Sequence, residues 1–190
     1  MVCGIDEAGR GPLAGPVCAA AVILPSDFPF YVLGDSKQLS PASREIARIL
    51  VSASAVWGIG WASPSEIDEI NIHNATLLAM KRAFEAMIAR PDFAAISGAK
   101  DNVEVIVDGL FTPAISAQCR ALVKADSQVY EVMAASILAK TARDRLMEYY
   151  SIFYPEYGYE KHKGCPTPAH RAAIMRFGPS PIQRKTFRVS

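Results

Sequence analysis

The chain has 190 residues, of which 51% are hydrophobic and 21% are charged, and its formal net charge is +1. These values predict one globular domain with a substantial core, and they exclude a disordered or wholly polybasic chain. No apolar run approaches the roughly 20 residues that a membrane-spanning helix needs. The four cysteines show no CxxC spacing, which argues against a zinc site or disulfides and indicates a reducing, cytoplasmic location.

The charge is unevenly distributed along the chain. Residues 159–190 contain seven basic side chains and one acid. A basic tail on an otherwise acidic body favours a polyanionic partner. The alternative is a solvated surface on which like charges happen to cluster.

Strand-like and helix-like segments alternate along the chain. The predicted strands are Val2 to Asp6, Val17 to Leu24, Val56 to Ala62, Val103 to Val107 and Arg120 to Ala125. The predicted helical segments are 41–52 after a Ser40 cap, a short turn to Ile70, 74–89, 128–150 after a Ser127 cap, and 168–176. Residues 90–102 and 158–168 are predicted to be connections. This order predicts an α/β fold in which helices pack against a mixed sheet.

Acidic side chains lie at the ends of three predicted strands, at Asp6-Glu7, Asp108 and Asp126. Carboxylates that converge at one edge of a sheet repel each other unless divalent cations lie between them. Their oxygen atoms suit Mg²⁺ or Mn²⁺. The set therefore predicts a metal-dependent hydrolase or phosphoryl-transfer enzyme. Taken singly, Asp108 fits an exposed turn and Asp126 fits a helix cap equally well.

A glycine-rich segment follows the first pair of acids. Asp6 and Glu7 can serve one site only if the strand ends near them, because adjacent strand residues point to opposite faces. Gly9 and Gly11 supply such a break and let the backbone present N–H groups to a phosphate, with Arg10 between them. The alternative is a glycine-rich hairpin with incidental acids. No Gly-Lys-Ser/Thr follows, so this is not a Walker loop.

Several motifs together resemble those of the type 2 ribonuclease H family, ribonuclease HII. They occur in family order from residue 2 to about residue 170, nearly the whole chain. The motifs are Asp6-Glu-Ala-Gly-Arg-Gly-Pro-Leu-Ala-Gly-Pro16, Asp35-Ser-Lys37, Val107-Asp-Gly109, Lys124-Ala-Asp126, Ala135-Ser-Ile-Leu-Ala-Lys-Thr-Ala-Arg-Asp144 and His162-Lys-Gly164.

The resemblance implies a ribonuclease H-like fold, with a catalytic core over residues 1–148 and a C-terminal helical extension over 149–190 that contributes to substrate binding. It also implies a monomer that hydrolyses the RNA strand of RNA–DNA hybrids and incises 5′ to ribonucleotides embedded in duplex DNA. The implied mechanism uses two ions, Mg²⁺ or Mn²⁺, and leaves 3′-hydroxyl and 5′-phosphate ends.

The resemblance also assigns roles to individual positions. The family's four metal-binding catalytic acids correspond to Asp6, Glu7, Asp108 and Asp126. The loop that senses the ribose 2′-hydroxyl corresponds to Gly9, Arg10 and Gly11. Further candidate substrate contacts are Ser36, Lys37, Lys140 and Arg143. A plain surface turn is the alternative for the first two, and an i,i+4 pair between Lys140 and Asp144 is the alternative for that lysine.

One position departs from the family pattern. The family has a tyrosine after His-Lys-Gly, where its ring stacks on the sugar beside the scissile junction, but this chain has Cys165. A thiol supplies neither an aromatic face nor a phenolic hydroxyl. We therefore expect metal-dependent cleavage with weakened discrimination at a single embedded ribonucleotide. Tyr157 and Tyr159 lie nearby in sequence and are the alternative sources of an aromatic ring.

Two other functions are consistent with parts of the pattern. A junction resolvase has clustered acids but has no need for the Gly9-Arg10-Gly11 sensor. A non-catalytic nucleic-acid-binding module would use the basic tail, but it would gain nothing from four carboxylates that repel phosphate.

Overall fold

The computed structural model describes residues 1–34, 39–97 and 103–189. Its strands are β1 Val2–Ala8, β2 Val17–Ile23, β3 Val56–Ala62, β4 Glu104–Asp108 and β5 Gln118–Leu122. Its α-helices are α1 Pro41–Ser54, α2 Pro64–Ile88, α3 Pro91–Ser97, α4 Tyr130–Phe153, α5 Tyr159–His162 and α6 Pro168–Phe177. Short 3₁₀ turns span Phe30–Val32, Ala125–Ser127 and Pro155–Tyr157.

The five strands form one mixed sheet in the order β3-β2-β1-β4-β5. The first three strands pair in antiparallel fashion, whereas β4 runs parallel to β1 and β5 runs parallel to β4. Cys3 and Ile5 of β1 pack with α2 in one apolar cluster, and Cys18 and Ala20 of β2 pack with α4 in another. Helices therefore cover both faces of the sheet, as the sequence predicts for an α/β fold.

Glycines let both covering helices lie close to the sheet. A Cβ atom at Gly60 would lie 2.1 Å from the carbonyl oxygen of Ala79 in α2, and one at Gly4 would lie 2.2 Å from the backbone of Val132 in α4. Only residues without a side chain permit this spacing. The contact at Gly4 fixes the first turns of α4 beside β1, and the same helix face continues toward the candidate active site.

Four predicted strands are confirmed, and the fifth is shifted: β5 spans Gln118–Leu122 rather than Arg120 to Ala125, so Asp126 lies in the turn beyond it. The boundaries of several helices also differ from the prediction. The predicted turn to Ile70 and the helix that follows are continuous except for a break at Asn71, which has φ 66° and ψ 165°. The expectation that Ser127 caps the long helix is wrong: Ser127 ends a 3₁₀ turn, and the N-cap residue of α4 is Val129. The two predicted connections contain the short helices α3 and α5.

The C-terminal part of the chain packs around the end of α4. Its buried apolar residues include Tyr157, Tyr159 and Ile182, and they enclose Leu13 and Ala14 from the loop after β1. The C-terminal segment therefore packs against the glycine-rich loop. Helix α4 itself runs past residue 148 to Phe153. Among the helices described, none is long and apolar enough to cross a membrane.

Candidate active site

The candidate site lies where β1 and β4 separate. The two strands pair in parallel from Val2 opposite Glu104 to Ile5 opposite Val107. Beyond that point β4 ends, while β1 continues to Ala8 along β2 alone. β1 thus ends one residue after its acidic pair, near where the sequence predicts. A gap opens at the carboxyl ends of the two parallel strands, which is where α/β sheets commonly bind ligands.

Three of the four predicted acids meet in this gap. Carboxylate oxygens of Asp6, Asp108 and Asp126 all lie within 4.8 Å of one another. Asp126 comes from the 3₁₀ turn after β5, and the N–H of Ala125 in that turn donates to Oδ1 of Asp108 at 2.8 Å. This hydrogen bond joins the turn to the end of β4 and holds Asp126 beside Asp108.

The fourth acid, Glu7, lies beside this cluster. Its side chain leaves the opposite face of β1 from that of Asp6, and Arg10 Nη1 donates to its Oε1 at 3.3 Å. Among the described residues, the group whose oxygens lie within 4.8 Å contains the three aspartates and not Glu7. Glu7 nevertheless lines the same cleft as Asp6 and Asp108.

The acids perturb one another's protonation. Burial raises the pKa of Asp6 well above its usual value, and the neighbouring charges of Glu7 and Asp108 raise it further. The N–H of Glu7 donates to Asp6 Oδ1 at 2.7 Å and partly opposes this rise. Burial also raises the pKa of Glu7, against the lowering effect of Arg10. Burial and the neighbouring carboxylates therefore disfavour the ionised form of Asp6, while Arg10 favours that of Glu7.

The chemistry of these donors fits a divalent cation. Three carboxylates supply hard oxygen ligands from atoms no more than 4.8 Å apart, which suits Mg²⁺ or Mn²⁺. A cation bound here would favour the ionised forms of Asp6 and Glu7, and so would oppose the rise in their pKa values.

A cleft of about 480 Å³ opens above the acids. Of the predicted site residues, the cleft is lined by Asp6, Glu7, Gly9, Arg10, Gly11, Asp108, Lys140, Arg143 and Cys165. One wall is thus the glycine-rich loop, the other is α4, and the rim is the segment after α5. The predicted contacts Ser36 and Lys37 lie outside the described residues.

Comparison with known proteins identifies the family. The sequence model described as Ribonuclease HII matches residues 3–190. The chain belongs to the ribonuclease HII family. The ribonuclease HII of Treponema denticola is 58% identical over 193 residues, covering 98% of both chains. Family membership makes this chain a ribonuclease H, a divalent-metal-dependent endoribonuclease acting on RNA–DNA hybrids, and it excludes the resolvase and the non-catalytic module.

Solved structures show the same fold. The complex of PCNA and RNase HII from Archaeoglobus fulgidus contains a chain with a TM-score of 0.75 and 23% identity, covering 99% of this chain and 95% of that one. Bst-RNase HIII in complex with Mn²⁺ has a TM-score of 0.73 and 18% identity, covering 99% of this chain and 67% of that one. The ribonuclease H-like fold predicted from the sequence is confirmed.

The structure gives the two predicted contacts on α4 different surroundings. Lys140 Nζ lies 2.7 Å from Asp144, so it forms the i,i+4 pair and also faces the ribonuclease HII cleft. Arg143 is 3% exposed, and its guanidinium donates to the carbonyl oxygens of Ala14, Pro16 and Lys163 at 2.9 to 3.0 Å. Three of its five N–H groups therefore hold the main chain of these loops, while the side chain also lines the cleft.

Three polar or charged residues that line the cleft were not among the predicted site residues. Ser136 and Asp144 line the cleft from α4, and Lys163 lines it from the segment after α5. Ser136 and Asp144 lie four residues on either side of Lys140, so helical spacing places all three on one face. This spacing could have identified Ser136 and Asp144 as cleft residues from the sequence. Lys163 lies inside the quoted His-Lys-Gly motif but adopts the left-handed conformation, with φ 51°, which its sequence does not indicate.

No tyrosine takes the place of the family aromatic at Cys165 within the described structure. Cys165 is exposed at the cleft rim. The Tyr157 hydroxyl donates to the carbonyl of Gly178 at 2.9 Å, and the Tyr159 hydroxyl lies 2.6 Å from that of Ser180. The two tyrosine rings stack on each other with centroids 5.5 Å apart. Both therefore serve the packing of the C-terminal part, and the cleft rim has a thiol at the position where the resemblance predicts an aromatic ring.

Proposed function

We propose that this ribonuclease HII also incises 5′ to ribonucleotides embedded in duplex DNA, using two divalent ions held by Asp6, Glu7, Asp108 and Asp126. Its products are 3′-hydroxyl and 5′-phosphate ends. The observation that carries the proposal is the meeting of three aspartates, with oxygens within 4.8 Å, at a cleft bounded by the glycine-rich loop. When bound, the ions activate a water and stabilise the attacking and leaving oxygens of an in-line displacement.

The acids are arranged to hold cations without large rearrangement. Asp6 is 5% exposed and accepts the N–H of Glu7, and Asp108 accepts the N–H of Ala125. Hydrogen bonds of this kind orient carboxylates before a metal arrives. Glu7, next to the cluster and paired with Arg10, is proposed to complete the set when that ion pair opens.

The glycine-rich loop supports recognition of the nucleotide at the cut. Gly9 has φ +95°, and a Cβ at Gly11 would meet nothing within 4 Å, so the loop is open to a close approach by a sugar. Arg10, whose side chain is 52% exposed, is placed to reach a phosphate. The 2′-hydroxyl is the group that separates RNA from DNA, and main-chain groups of this loop are proposed to contact it.

Residues 149–190 are proposed to extend the substrate-binding surface beyond the core at residues 1–148. The exposed basic side chains of Lys161, Arg176, Lys185 and Arg188 support this role, because each lysine or arginine near a phosphate backbone contributes salt-dependent affinity. We also propose that the enzyme acts as a monomer in the cytoplasm. The four free cysteines are consistent with a reducing compartment.

A cleavage panel tests the proposed function. The substrates are a uniform RNA–DNA hybrid, a DNA duplex with one ribonucleotide, and RNA–RNA and DNA–DNA duplexes of the same sequence, each with Mg²⁺, with Mn²⁺ or with chelator. We expect metal-dependent cutting of the first two only, with the nick in the second lying 5′ to the ribonucleotide. Asp108→Asn should fold normally and lose turnover. An intact single-ribonucleotide duplex beside a cleaved uniform hybrid would contradict the proposal.

A further inference from the structure

Arg184 is a buried arginine behind the glycine-rich loop, and neither the sequence motifs nor the cleft lining includes it. It is 0% exposed. Its Nη2 donates to the carbonyl of Gly9 at 2.6 Å, its Nη1 to that of Arg10 at 2.9 Å and its Nε to that of Gly15 at 2.8 Å. One guanidinium thus contacts both ends of the loop, with the planar fork that lysine lacks.

The segment around Arg184 is itself fixed on both sides. The N–H of Arg184 donates to Leu13, and the N–H of Gly15 donates to Ile182, each at 2.9 Å. On the far side, Asp68 of α2 accepts the N–H groups of Lys185 and Thr186, both at 2.9 Å. The guanidinium therefore has a position defined by the core helix as well as by the loop.

The direction of the loop's N–H groups follows from these contacts. No described peptide bond is cis, and in a trans peptide the carbonyl and the following N–H point in opposite directions. Since the carbonyls of Gly9 and Arg10 point at Arg184, the N–H groups of Arg10 and Gly11 point away from it. Arg184 lies behind the loop and the cleft lies in front, so both donors face the cleft. Neither donates to a protein acceptor within the described residues.

We propose that Arg184 is a positioning residue for the ribonucleotide sensor: by fixing the carbonyls of Gly9 and Arg10, it aims the N–H groups of Arg10 and Gly11 at the sugar and phosphate beside the cut. The inference rests on the proposed incision at embedded ribonucleotides. The C-terminal segment then contributes to ribonucleotide recognition indirectly, through the Arg184 side chain, which contacts the loop and not the substrate.

A second guanidinium supports the same loop. Arg143 donates to the carbonyls of Ala14 and Pro16, and a Cβ at Gly9 would lie 2.0 Å from its Nε. Burial, and then the charge of Arg143, lower the pKa of Arg184 to about 9, so Arg184 stays cationic at neutral pH. Its buried positive charge, on the far side of the loop from the N–H groups, favours an anionic group at the cleft.

The test compares Arg184→Lys and Arg184→Gln with wild type on two substrates. The first is a DNA duplex with one ribonucleotide, and the second is a uniform RNA–DNA hybrid of the same sequence. The measured quantity is the ratio of their kcat/KM values, together with the position of the nick. We expect both variants to lower the ratio by roughly 10- to 100-fold, below the roughly 100- to 1,000-fold loss that follows removal of one oxyanion-hole donor, because the donors are misaimed rather than deleted. The lone ribonucleotide is the more sensitive substrate because it offers only one productive register.

Controls separate positioning from folding. A purely structural role would lower the active fraction and would reduce both rates equally, leaving the ratio and the nick unchanged, and that result overturns the inference. Arg120→Gln, at an exposed arginine of β5 that pairs with Glu104, should leave the ratio at the wild-type value. Arg184→Lys retains the charge, so it provides the comparison if the glutamine variant fails to fold. A wild-type enzyme that cuts the hybrid but never the single ribonucleotide would overturn the proposed function instead, and the sensor with it.

Discussion

Replacing Asp6 by asparagine should stabilise the metal-free protein while it abolishes activity. Two carboxylates whose oxygens lie within 4.8 Å of each other repel by about 3.5 kcal/mol or more at an effective dielectric constant of 20. Asp6 has two such neighbours, and its raised pKa shows that partial protonation already relieves part of this energy. Asparagine removes the charge and keeps Oδ1 as the acceptor for the N–H of Glu7. We expect a net gain of about 2 kcal/mol, which corresponds to about 4–8 °C in Tm for a chain of this size.

The pH dependence of this gain has a definite sign. A carboxyl group whose pKa is raised on folding stabilises the folded protein at low pH and loses that contribution as the pH rises through the folded-state pKa. Metal-free wild type should therefore lose stability as the pH rises above about 4, the usual pKa of an aspartic acid. Asp6→Asn lacks this loss, so its advantage should be small at acidic pH and should grow toward neutrality.

Thermal unfolding in EDTA, and again with excess Mn²⁺, is the measurement. Mn²⁺ binds only the folded site, so it should raise the Tm of wild type more than that of Asp6→Asn and shrink the difference between them. Asp27→Asn, at an exposed position far from the cluster in sequence, is the matched control and should change stability by less than about 0.5 kcal/mol. A Tm for Asp6→Asn below that of wild type in EDTA at neutral pH would refute the reasoning.

Four further predictions concern the loop, the rim and the anchor of the C-terminal segment. Gly9→Ala should lose about 2 kcal/mol or more of stability, because its Cβ would meet Arg143 at 2.0 Å with φ at +95°. Gly11→Ala should unfold at nearly the wild-type temperature and raise KM, since its new methyl group enters open space in the cleft. Cys165→Tyr should increase the rate at a single ribonucleotide relative to a uniform hybrid; unchanged rates and nick positions would remove the rim hypothesis. Asp68→Ala should free the N–H groups of residues 185 and 186 and lower the Tm by about 2–6 °C. It should also increase proteolysis near the C-terminus, and an unaltered digestion pattern would contradict the anchoring role.

Most of the sheet was predictable because the buried strands have apolar sequences that can be recognised within a short window. Val17–Ile23 is buried along its whole length, and its sequence is correspondingly apolar at every position. The N-cap serines at Ser40 and Ser63 likewise mark their helices within four residues, and both accept the expected N–H. In contrast, Ser127 is a residue type that favours N-cap positions, but it lies in the 3₁₀ turn that carries Asp126. The N–H of Ala125 ties this turn to Asp108 at the end of β4. There the tertiary position of one acid overrides a local preference.

The candidate site was predictable to the extent that its chemistry lies in side chains. Asp6, Asp108 and Asp126 stand out as acids at strand ends, and strand order then brings them together. Arg184 gave no such signal: it is one of seven basic residues in a tail whose others are mostly exposed. Its role depends on which carbonyls it meets, and those contacts join residues more than 160 positions apart. No pattern within a sequence window reports such a contact.

Buried charge serves two opposite purposes on the two sides of the glycine-rich loop. On one side, Arg143 and Arg184 donate to main-chain carbonyls, so their burial is compensated by hydrogen bonds and stabilises one loop conformation. On the other, Asp6 is buried beside Glu7 and Asp108, which raises its pKa and costs stability in the metal-free protein. The first arrangement makes the loop rigid before substrate arrives, and the second leaves Asp6 able to gain from a divalent ion. Because the loop directly follows β1, the hydrogen bonds of the two arginines also help to hold the strand that carries Asp6.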